Sequence, residues 1–139
     1  MITLRRFNAY HIIALTMLVT IIGFITVSYA YESQSNNKGR VTVNVRPLQL
    51  IPGQPAKFEV RMNTHSVTLD HDLVAASTLK DDQGREYKPI NWQGSPPGGH
   101  HLKGILEFPD LNEDTEIITL VIRRVANVTA RTFEWSVEQ

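Results

Sequence analysis

Of the five histidines in the chain, four fall in two short stretches: His65 and His71 in "NTHSVTLDHD", and His100 and His101 in "SPPGGHHLKG". Imidazole is the common protein ligand for transition metals and the side chain that titrates nearest neutral pH. Three or four ligands drawn from His65, His71, His100, His101 and Asp72 would suit Zn²⁺ or Cu²⁺. No spacing among them is a recognised ligand motif. Neighbouring residues of a strand point to opposite faces, which sets His100 and His101 apart as ligands of one ion. The chain has no cysteine, and Met62 is the only methionine after Gly39, so blue-copper and methionine-rich Cu(I) centres are excluded.

The competing reading is structural. Pro96, Pro97, Gly98 and Gly99 would make a tight crossing, with the glycines free to take positive φ. His100 would hydrogen-bond the backbone of the facing loop, and Asp70 or Asp72 would cap turns through carboxylate oxygens. Thr64, Asp70, Trp92, Gly98 and Gly99 then mark a loop end that holds itself together and offers a surface to a protein partner.

The elements that would carry these residues follow a period of two from Arg40 onward. Val41, Val43 and Val45 alternate with polar residues, as do Phe58, Val60 and Met62. "LVAASTL", "REYKPINW", "HLKGILEF", "TEIITLVIRRV" and "TARTFEWSVE" complete about seven strands, separated by Gly, Pro, Asn and Asp clusters. That pattern predicts an all-β, immunoglobulin-like antiparallel sandwich over residues 40–139, with Trp92 and Trp135 as core aromatics. If each strand crosses the domain once, the loops 63–72 and 93–99 and the turn Ala126–Asn127 share one end. The histidines meet there. Parity with Leu102, Leu106 and Phe108 turns His100 inward and His101 outward. Phe58, Val60 and Met62 are even-numbered whereas Val67 and Leu69 are odd, so a bulge or turn near 63–65 must absorb the shift.

Ahead of this domain, residues 12–30 are almost wholly apolar and follow Arg5 and Arg6. A helix of about 19 residues spans close to the ~30 Å hydrocarbon core. The expected order is a cytoplasmic N-terminus at 1–11, a transmembrane anchor at 12–30, a flexible linker at 31–39 and the exported domain. The chain is then a single-pass membrane protein with its C-terminal domain outside the cytoplasm. Ser28-Tyr29-Ala30 also fits signal cleavage, which would release the domain to the periplasm or medium.

Charge narrows the function classes. Lys and Arg total 14, as do Asp and Glu, and no basic stripe with interleaved aromatics appears, so nucleic acid is disfavoured. Hydrolase elbows, phosphate loops and zincin helices are absent. "DDQGREYK" reads as a solvated hairpin, because a calcium loop needs more oxygens at regular spacing. "NVT" at Asn127 is a glycosylation sequon on the exported side.

The segment from Asn63 to Pro109 resembles small exported or membrane-anchored prokaryotic β-domain proteins of uncharacterised function. The likeness rests on Thr64 to Val67, Asp70 to Leu73, Trp92, and Gly98 to His101. It implies an extracytoplasmic β-domain built around those loops and carries no activity. The sequence thus points to a membrane-anchored, non-enzymatic binding or structural module without a cofactor. The alternative is a histidine-based Zn²⁺ or Cu²⁺ binding or delivery protein at the cell envelope.

Overall fold

Alternating valine and polar residues become strand from Val41 onward. The computed structural model describes residues 30–137; the expected anchor at 12–30 lies outside them, apart from Ala30. Among the described residues no helix is long and apolar enough to cross a membrane.

Among the described residues nine strands form two antiparallel sheets. The first sheet runs β1 (Gln34–Lys38), β2 (Val41–Gln49), β3 (Pro55–Thr64), β7 (His101–Asp110), β6 (Asn91–Gly94). The second runs β5 (Glu86–Tyr87), β4 (Ser77–Asp81), β8 (Ile117–Val125), β9 (Val128–Ser136). A short helical turn, α1 (Leu73–Ala76), leads into β4. The period of two is obeyed strictly on the inner faces. Val41, Val43 and Val45 of β2, Phe58, Val60 and Met62 of β3, Leu102, Leu106 and Phe108 of β7, and Ile118, Leu120 and Ile122 of β8 are all buried. Phe58 stands edge-on to Phe108 at 5.7 Å and 5.5 Å from Trp135, which ties the two sheets at the centre of the core.

Three local expectations give way. The stretch 31–39, expected to be a flexible linker, contains β1, which pairs in register with β2 from Gln34↔Val45 to Lys38↔Val41. "REYKPINW" is not one strand: it breaks at Lys88-Pro89-Ile90, so β5 lies in one sheet and β6 in the other. Proline cannot donate to a ladder, and the chain changes sheet there. "LVAASTL" begins as a helical turn because Asp72 accepts hydrogen bonds from the Val74 and Ala75 amides at 2.9 and 3.3 Å.

The sheets are sewn together along the β1–β9 seam by side chains. The Gln34 amide both donates to the Glu134 carbonyl and accepts from the Glu134 N–H, imitating a strand neighbour. Trp135 Nε1 donates to the Glu32 carbonyl at 2.8 Å. Arg131, only 1% exposed, donates to the carbonyls of Asn36, Lys38 and Val41 and to the Asn36 side chain. Burial lowers the pKa of this guanidinium, and oxygens rather than a carboxylate solvate it.

Candidate functional site: the histidine-bearing rim

Turn chemistry brings four connections to one pole: the β1–β2 and β8–β9 turns, the segment after β3 and the crossing between β6 and β7. The β1–β2 turn at Gly39-Arg40 and the β8–β9 turn at Ala126-Asn127 each have positive φ at both central residues, as two-residue type I′ hairpins require. The two turns touch. A Cβ on Gly39 would stand 2.5 Å from the Ala126 carbonyl oxygen, so glycine is demanded by both conformation and space. Asn127 of the sequon sits at φ 62° in this exposed turn.

Thr64 is the hub. Its buried hydroxyl donates to the Arg40 carbonyl at 2.8 Å and accepts from the Ser66 and Val67 amides at 3.3 Å each. Its own N–H donates to the His100 carbonyl at 3.0 Å. From there the segment after β3 is zipped to the Pro/Gly crossing: Leu69 N–H to Gly99 O at 2.9 Å, and Gly98 N–H to Leu69 O at 2.6 Å. Both Gly98 and Gly99 have positive φ, the conformational freedom expected of them. The parity shift near 63–65 is absorbed in this loop, with no new strand, so loops 63–72 and 93–99 meet as the sequence predicts.

The histidines reach this rim in different ways. His100 is exposed rather than turned inward, and its Nδ1–H donates to the Val67 carbonyl at 3.2 Å. Having left the β7 ladder, it is no longer governed by strand parity. His101, exposed on the outer face, lies 2.8 Å through Nδ1 from the Asn63 side-chain oxygen, its register partner on β3. His65 is exposed and lines a shallow groove of about 460 Å³ with Asn37, Arg40, Thr42 and Asn63. His71 lies on the other side, half-buried, with Nδ1 3.7 Å from an Asp70 carboxylate oxygen and without a hydrogen-bond partner among the described residues. Asp70 is exposed, and Asp72 caps α1.

The rim therefore brings the backbones of 64–69 and 98–100 together but spreads the imidazoles. Among the described residues no three His, Asp or Glu side chains gather closely enough to hold a metal ion. Trp92 is half-buried; its ring lies over Gly94 and Gly104, and Nε1 donates to the Ser95 carbonyl at 3.1 Å.

Sequence reasoning missed a second feature on the flank of the rim. His71, Asp72, Ala75, Ala76, Lys88, Arg123 and Arg124 line a cleft of about 400 Å³. The paired arginines at 123–124 were the available signal, hidden inside a run that reads as a buried strand. No family model and no curated protein matches the chain.

Proposed function

We propose that the chain is an immunoglobulin-like module held outside the cytoplasm by its N-terminal apolar segment, and that it presents the rim to a protein partner without catalysing a reaction. The sheet orders support the immunoglobulin-like assignment. With β2, β3, β6 and β7 taken as A, B, D and E, and β4, β8 and β9 as C, F and G, they follow the ABED and CFG arrangement of such domains. The resemblance carried by Thr64 to Val67 and Gly98 to His101 falls on the rim, which supports reading those segments as one unit.

One observation carries the proposal: the rim is at the pole farthest from where the chain leaves its apolar segment. Tyr31 donates through its hydroxyl to the Leu50 carbonyl at 2.9 Å, beyond one end of β2. Thr64 and His100 stand beside Val41 at the other end. The nine residues of β2 separate them by roughly 30 Å at about 3.3 Å per residue. An anchored domain would thus hold its rim clear of the bilayer.

The cysteine-free chain permits a direct test. A single cysteine at the exposed Ser66 of the full chain should react with a membrane-impermeant maleimide in intact cells. A photo-crosslinker at His65 should capture a discrete species that one at Leu48, on the opposite pole, does not. A cytoplasmic Ser66 or indiscriminate crosslinking rejects the proposal. Zn²⁺ and Cu²⁺ titration of the full chain addresses the metal alternative: sub-micromolar affinity abolished by H65A/H101A would replace the partner reading.

A further inference from the structure

We propose that the cleft between α1, the segment after β5 and the end of β8 is a binding site for a phosphate oxyanion. This inference is separate from the rim's partner, because its cations lie outside His65, His100 and His101.

The cleft gathers three cations, Lys88, Arg123 and Arg124, against one lining carboxylate, Asp72. Leu79 points into the core, so Thr78 beside it points to the outer face of β4, yet it is 1% exposed. Two cations cover it. Lys88 Nζ donates to Thr78 Oγ1 at 2.7 Å, and Arg123 Nη1 donates to the same oxygen at 3.1 Å. A neutral hydroxyl orients both heads and neutralises neither. Arg124, exposed on the same cleft, adds a third positive charge.

Of the nearby acids, one is paired elsewhere and one lines the cleft. Glu86, whose charge reaches Lys88 and Arg123, is bonded to Lys80, and this bond holds its carboxyl below the usual range. Asp72 spends one carboxylate oxygen on the α1 amides. Among the described residues, none of Lys88, Arg123 and Arg124 forms an ion pair; the same holds for Lys38, Arg40 and Arg131, but Lys88, Arg123 and Arg124 line one cleft. Three cations against a single exposed carboxylate leave an excess of positive charge, which is unfavourable. An anion would reverse that.

Backbone strain falls at the same place. Arg124 has φ 60°, a left-handed conformation costly for a residue with a long side chain. Two convergent heads and a third cation suit a tetrahedral group with several acceptor oxygens better than a single carboxylate. Phosphate is that group, either as the free ion or as a phosphodiester carried on an envelope polymer or lipid head group.

The test is calorimetric titration of the full chain in non-ionic detergent at low salt, with inorganic phosphate in one arm and glycerophosphoglycerol in the other. Saturable binding in either arm supports the site, and the tighter arm identifies the source. R124Q, at an exposed position, should weaken binding by about tenfold or more, as should K88Q. R46Q, on the far sheet, should leave it unchanged. Thermal melts of each variant show that the fold is retained. Absence of saturable binding in both arms overturns the site, and so does equal weakening by R46Q and R124Q.

Discussion

His100 Nδ1 stands 3.2 Å from the carbonyl oxygen of Val67, thirty-three residues away, and this contact closes the rim. The imidazole is exposed, so water can replace it at that carbonyl. His100→Ala should therefore lower stability by only about 1 kcal/mol, the net value of an ordinary hydrogen bond rather than the larger cost of a stranded buried group. Urea unfolding of the full chain in detergent measures this. A loss above about 3 kcal/mol would mean that the ring supports more of the rim than its contact indicates.

Arg131 makes a stronger demand. It supplies four hydrogen bonds to the β1–β2 hairpin from the β9 side of the seam. Arg131→Met keeps the apolar stem but leaves those acceptors to water or to nothing, and should cost about 2–4 kcal/mol. Arg131→Lys should not rescue it, because a single ammonium cannot reproduce the guanidinium fork. Faster amide exchange within Gln34–Lys38 in both variants is the expected signature. Unchanged exchange in Arg131→Lys would assign the seam to Gln34 and Trp135 instead.

At the opposite pole, the Asp81 carboxylate is fully buried and fixes the β4–β5 turn. It accepts from the Gln83 and Arg85 amides at 3.0 and 2.8 Å, from the Arg85 guanidinium, and from the Tyr87 hydroxyl at 2.9 Å. Burial alone would raise its pKa, but the bonds from Arg85 and Tyr87 outweigh burial and hold it below the ordinary 3.8. The folded state then binds fewer protons than the unfolded state, so this contribution is complete above about pH 5 and fades as pH falls through the carboxylate range. Wild type should lose stability more steeply than D81N between about pH 5 and pH 3, measured by urea midpoints. Parallel slopes would show that other acids govern acid sensitivity.

Legibility followed the apolar alternation. The strands with apolar inner faces, β2, β3, β7, β8 and β9, were readable because core formation selects their period. β1 was not, because "QSNNK" has no apolar residue and is held by the β2 ladder and by Arg131 from 95 residues away. Pro89 lies inside a stretch that reads as one strand, and nothing local says that it ends one strand and sends the chain to the other sheet. The meeting of the two rim loops followed from strand count. The outward set of His100 did not, because strand parity ends where backbone bonding passes to a loop. The cationic cleft joins α1, the segment after β5 and β8, which no sequence spacing connects.

Gly104 and Gly94 face each other across the β6–β7 pair, and the Trp92 ring covers both. A Cβ on Gly104 would lie 2.6 Å from the Gln93 carbonyl oxygen and 2.6 Å from the edge of the indole. The carbonyl belongs to the ladder, so relief must come from moving Trp92 or separating β6 from β7. Gly104→Ala should then cost about 1–3 kcal/mol, the usual range for overpacking. Trp92 emission should shift to the red as its ring lifts and loses the bond to the Ser95 carbonyl. Because β6 leads directly into the Pro/Gly crossing, the amides of Gly98 and Leu69 should exchange faster, although both lie beyond direct contact with the new methyl. The second substitution Trp92→Leu, which clears the indole, should recover part of the stability in Gly104→Ala while costing stability alone. Additive losses from the two changes would show that the indole does not oppose the methyl, and that the glycine pair is set by backbone approach alone.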